Sequence, residues 1–108
     1  MTRPLDPDSA AQTFGDNYFN LIRRGADGSL TLSADKWRLD TAKSTPAEFH
    51  FTAQADDAPD LIVPQEQIER ISWDRLPKQQ QRSQIRFTMT NGDIWTFSGA
   101  VDESALPA

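Results

Sequence analysis

Cysteine is absent from this sequence, and histidine occurs once, at His50. The first absence excludes a disulfide framework, a thiolate metal site and a cysteine nucleophile. The second leaves any histidine-based zinc cluster or catalytic triad without its second member. No apolar run approaches the roughly 20 residues that span a bilayer as a helix. The opening stretch, with Arg3, Pro4, Asp6, Pro7 and Asp8, lacks the apolar centre of a signal peptide. A reducing, cytoplasmic setting is therefore expected. Basic residues are also scarce: 11 Lys and Arg stand against 16 Asp and Glu, for a formal charge of −5. That balance disfavours nucleic acid and anionic membranes, whose phosphates attract a positive face, while leaving room for a local basic patch.

What is present has the size of one domain, 108 residues. Residues 1–13 are polar and aperiodic and read as a flexible tail, 14–101 as a single β domain, and 102–108 as a short C-terminal tail. Between Asp16 and Gly25 two readings stay open. Asp16 suits the cap of a short helix burying Phe19 and Ile22, whereas Tyr18 to Arg24 suits a strand feeding a turn at Gly25–Gly28. The strand is preferred because everything downstream alternates with period two.

That alternation places Leu30 and Leu32 inward, then a tight turn at Ala34-Asp35, then Trp37 and Leu39 inward, as a β-hairpin. Phe49 and Phe51 face inward on the next strand, with His50 outward beside Glu48. A short apolar strand, Leu61 to Val63, is ended by Pro64, and a turn at Ile68 leads into a strand with Ile71 and Trp73. Last come Ile85, Phe87 and Met89, then Asn91-Gly92, then Trp95 and Phe97. Asn-Gly between alternating runs predicts a hairpin with a type I′ turn. The fold class is accordingly mostly β, with antiparallel strands in a partly open barrel or sandwich and little helix.

Three phrases give this order a family likeness. LTLSADKWRLD (Leu30 to Asp40), IVPQEQIERISW (Ile62 to Trp73) and RFTMTNGDIWTFSG (Arg86 to Gly99) resemble successive strands of the pleckstrin-homology-like and GRAM-like domain superfamily. The resemblance implies a barrel closed at one end by an amphipathic C-terminal helix, which does not follow Phe97 here. Either the native chain continues beyond Ala108, or the N-terminal segment, a second subunit or a partner covers that opening. Phosphoinositide-binding members carry a basic residue late in the first strand and a basic pair in the second. Arg23 and Arg24 fit the first position, while Asp27, Gly28 and Ser29 stand where the pair should begin.

No catalytic residue, metal ligand or cofactor is assigned. Asp56, Asp57 and Asp60 lack the bend glycine and closing glutamate of a calcium loop and read as a solvated loop. Trp37 and Trp95 fall in phase with the apolar face and read as core. Trp73, Arg75, Lys78 and Arg82, an aromatic beside a basic loop, are the candidate partner-binding residues. The expectation is a non-enzymatic module acting through protein–protein contact, its partner a different protein or a second copy. Two alternatives are a membrane adaptor binding an anionic headgroup through Arg23, Arg24 and Lys43, and a β-barrel enclosing a small ligand.

Overall fold

The alternating run from Ile85 to Phe97 forms the middle of the molecule. In the computed structural model, which describes residues 3–15, 17–45, 47–55, 58–75 and 83–99, it becomes strands β7 (Ser83–Met89) and β8 (Ile94–Gly99). Around them lie β1 (Arg3–Leu5), β2 (Phe19–Arg24), β3 (Leu30–Leu39), β4 (Glu48–Ala53), β5 (Leu61–Pro64) and β6 (Ile68–Arg75). All pair antiparallel in one eight-stranded sheet, in the order β1-β6-β7-β8-β2-β3-β4-β5. Among the described residues β1 and β5 are the edge strands, so the sheet is not closed and the fold is a mostly β, partly open barrel or sandwich. The ambiguous segment is a strand, and Pro64 sits where a missing amide donor is tolerated, on edge strand β5.

One face of this sheet holds the core. Phe97 lies between Leu21 and Ile85, Phe87 between Trp95 and Ile71, Phe51 between Leu39 and Leu61, and Phe49 opposite Val63. All six phenylalanines of the chain are at most 2% exposed. Their rings interlock, Phe51 stacking on Phe97 at 4.9 Å and Phe49 on Phe87 at 5.5 Å between centroids. Such pairs add about 0.5–1.5 kcal/mol each beyond the area they bury.

From Arg3 onward the expected flexible tail is structured. Helix α1 (Pro7–Phe14) starts where the Asp6 side chain accepts from Ser9 N at 2.7 Å, with Pro7 in the first turn. It ends at Gly15, whose φ of 56° lies where a side chain would be strained. Ala10, Thr13 and Phe14, spaced three and four apart, are wholly buried. Phe14 meets Phe19, Phe51 and Phe97 edge-on at 5.1, 5.3 and 5.2 Å. Thr13 buries its hydroxyl without penalty by donating to Ser9 O at 2.6 Å. The N-terminal segment thus packs against Phe97. The tail expected at 102–108 lies outside the described residues.

Two local expectations are corrected. No turn interrupts β3 at Ala34-Asp35; the strand runs unbroken for 10 residues. Alternation then carries through, so Trp37 and Leu39 facing inward force Leu30 and Leu32 outward. The irregularity is a bulge instead. Asn20 pairs with Lys36 but Ile22 with Leu32, and Trp37 Nε1 donates to Ser33 Oγ at 2.8 Å across it. The Asn91-Gly92 hairpin is present with a different turn. Met89 N donates to Asp93 O and Gly92 N to Met89 O, enclosing three residues, with Gly92 at φ 95°. That is the three-residue loop with a left-handed glycine rather than the type I′ turn.

Candidate functional site

The residues first assigned to contact are only partly described. Trp73 is 8% exposed on the inner face, opposite Ile85, and belongs to the core. Arg75 is the last residue of β6, paired with Ser83, while Lys78 and Arg82 lie outside the described residues. Arg23, Arg24 and Lys43 are separated as well. Consecutive strand residues point to opposite faces, and the Arg23 guanidinium lies over the Trp95 ring at 5.2 Å while Arg24 faces outward. Lys43 follows the far end of β3, about 30 Å of strand away at ~3.3 Å per residue. It stands 3.7 Å from Asp60. No mouth gathering these three cations is formed.

His50 is less exposed than a surface histidine, with 15% of its side chain accessible. Its Nε2 lies 2.6 Å from Asp60 Oδ2, and its backbone N donates to Ser44 Oγ at 3.0 Å. Ser44 Oγ donates in turn to Asp40 O. The hydrogen bond with His50 holds the Asp60 carboxyl below the ordinary range, Lys43 adding to this while partial desolvation opposes it. The group ties the turn after β3 to the start of β5. Asp56 and Asp57 lie outside the described residues. Among the described residues no three His, Cys, Asp or Glu side chains gather to hold a metal.

The outer face of the sheet is different in kind. Two rows of side chains cross it, each set by strand register. One runs Leu30, Arg24, Ile94, Thr88, Arg70; the other runs Leu32, Ile22, Thr96, Arg86, Ser72, Pro4. Leu30 and Leu32 are 65% and 74% exposed, beside half-buried Ile22 and Ile94. Arg24, Arg70 and Arg86 make no ion pair or side-chain hydrogen bond with any described residue. Between Arg70 and Arg86 is a hollow of about 320 Å³, completed by Pro4, Ser72, Thr88 and Ile94. A neighbouring hollow of about 270 Å³ has Glu69 as well as Arg70 in its lining.

Acidic groups rim the leucine end. The β2–β3 and β7–β8 turns touch, Ala26 N donating to Asp93 Oδ1 at 3.2 Å. In the first of these turns Asp27 accepts from both Ser29 Oγ and Ser29 N. The Ser29 hydroxyl, then its amide, holds the Asp27 carboxyl below its usual range, so it is ionised at neutral pH.

Sequence reasoning missed this face for two reasons. The turn expected at Ala34-Asp35 assigns Leu30 and Leu32 to the core, and Arg70 and Arg86 meet only through the pairing of β6 with β7. The available signal was parity with Trp37 and Leu39 and the lack of Gly, Pro or Asn at Ala34-Asp35. No family profile, curated protein or solved structure matches the chain.

Proposed function

We propose that this chain is a non-enzymatic, pleckstrin-homology-like module that acts through contact with another protein, made by the outer face of β2, β3 and β8. The observation that carries this reading is the pair of exposed leucines, Leu30 and Leu32, contiguous with Ile22 and Ile94 across three strands. Single exposed leucines are ordinary, but a contiguous apolar patch is a mark of interaction surfaces. Burying each leucine would stabilise a complex by about 1.5–3 kcal/mol. Among the described residues nothing needs that surface, because α1 and the six phenylalanines already fill the inner face.

A photo-crosslinking amino acid at position 32, introduced in the source cells, tests this. The expected result is a discrete adduct of protein mass that disappears when Leu30→Asp is added. An exposed control, position 66 on the turn before β6, should give none. No adduct at 32, or equal adducts at 32 and 66, would remove the reading.

A further inference from the structure

Resting on that contact reading, the geometry points to the chemistry of the partner: we propose an amphipathic segment bearing carboxylates, its apolar side chains on Ile22, Leu30, Leu32 and Ile94 and its Asp or Glu side chains in the hollow between Arg70 and Arg86. The two arginines stand on adjacent strands in diagonal register, since Arg70 pairs with Thr88 and Arg86 with Ser72. Diagonal neighbours lie about 7–8 Å apart, within reach of one carboxylate from both sides. A guanidinium presents a planar fork that matches a carboxylate in two hydrogen bonds. In a chain of charge −5, three outward arginines with no partner among the described residues form a local field of opposite sign. Complementary charge on the ligand is the simplest way to satisfy it.

Spacing narrows the ligand further. Strands lie about 4.8 Å apart, so Leu32 and Arg86, three strands apart in one row, are separated by about 14 Å. A helix laid across the strands covers that distance in about nine residues at 1.5 Å each. Other occupants fit less well. A second copy docked face to face would oppose arginines to arginines or to leucines, because a two-fold interface is self-complementary. An anionic bilayer meeting this face would also meet the Asp27 and Asp93 carboxylates beside Leu30. Single-stranded nucleic acid calls for stacking rings, and neither row contains an aromatic residue.

Fluorescence anisotropy with a 16-residue helical peptide tests the proposal. The probe carries leucines on one face of its first two turns and glutamates on the same face of its last two; a control replaces glutamate by glutamine. The glutamate peptide is expected to bind at least about tenfold more tightly, as charge-assisted hydrogen bonds imply. Arg70→Gln with Arg86→Gln should abolish that difference, and Leu32→Ser should weaken both peptides alike. Leu32 and Arg70 are exposed and Arg86 half-buried, and thermal unfolding verifies that each variant stays folded. Equal binding of the two peptides, with both still weakened by Leu32→Ser, would overturn the carboxylate assignment and leave the contact reading standing. Binding indifferent to Leu32→Ser, or no binding of either peptide, would overturn both. So would arginine-dependent binding of phosphatidylserine-containing vesicles or of oligouridine with neither peptide bound.

Discussion

On the inner face of the sheet, Phe97 is fully buried between Leu21 and Ile85; one residue earlier, on the outer face, Thr96 sits between Ile22 and Arg86. The same strands therefore carry two different surfaces. Inside, phenylalanine rings at 4.9–6.4 Å form a close-packed mass in which shape decides energy. Outside, leucines are open to water and arginines have no partner among the described residues, so stability gains little there. The difference teaches where each side chain's value should be sought: inside in folding, outside in binding.

The sharpest way to break this contrast is at α1. Phe14→Ala removes the ring that four other phenylalanines surround and should cost about 3–5 kcal/mol, read as a fall in the urea midpoint. A small effect would mean that the N-terminal helix is not part of the core. Gly99→Ala comes next. A methyl there would lie 2.9 Å from Phe19 Cδ2 and 3.2 Å from Tyr18 O. Accommodating it forces the core to shift, at about 1–3 kcal/mol, and thermal unfolding would read the loss.

The inner face was largely legible in the sequence because it obeys a local rule. Phe49 and Phe51, Ile85 to Met89, and Trp37 with Leu39 all follow period two, and each is buried. Helix α1 was not legible, because only Phe14 among its residues is large and apolar, and one ring makes no stripe. Its start did carry a signal, Asp6-Pro7 followed by Ser9, which is a capped helix opening. Leu30 and Leu32 were misplaced by a turn at Ala34-Asp35 that would have reset the phase; the bulge there preserves it. The outer site was illegible for a different reason. Arg24, Ile94 and Arg70 become neighbours only through the pairing of β2 with β8 and of β6 with β7, and the first links segments some 70 residues apart. No local pattern encodes that.

A third prediction sharpens the comparison from the outer side. Leu32→Ser, at a position 74% exposed, should change stability by less than about 0.5 kcal/mol while weakening peptide binding. Set beside Phe14→Ala, it separates the two faces in a single pair of unfolding curves. A loss approaching that of Phe14→Ala would mean that Leu32 is covered within the folded domain.

The smallest expected effect concerns acid. Among the described residues no titratable side chain is buried, the buried polar ones being Thr13 and Ser72, so the inner face they form should be blind to pH. Acid sensitivity must enter through surface carboxylates such as Asp60, which His50 holds below the ordinary value of 3.8. A carboxyl whose folded pKa is depressed binds fewer protons folded than unfolded, so its stabilising effect is complete above the unfolded value. It declines as pH falls through 3.8 and is gone below the lowered folded value. Asp60→Asn should therefore lower the melting temperature slightly at pH 7 and flatten its fall below about pH 4. Parallel curves for the variant and the native chain across that window would show that the tie between β4 and β5 contributes nothing to the acid response. The remaining sensitivity would then be assigned to Asp6 and Asp27, whose carboxyls are lowered in the same direction by hydrogen bonds from Ser9 and Ser29.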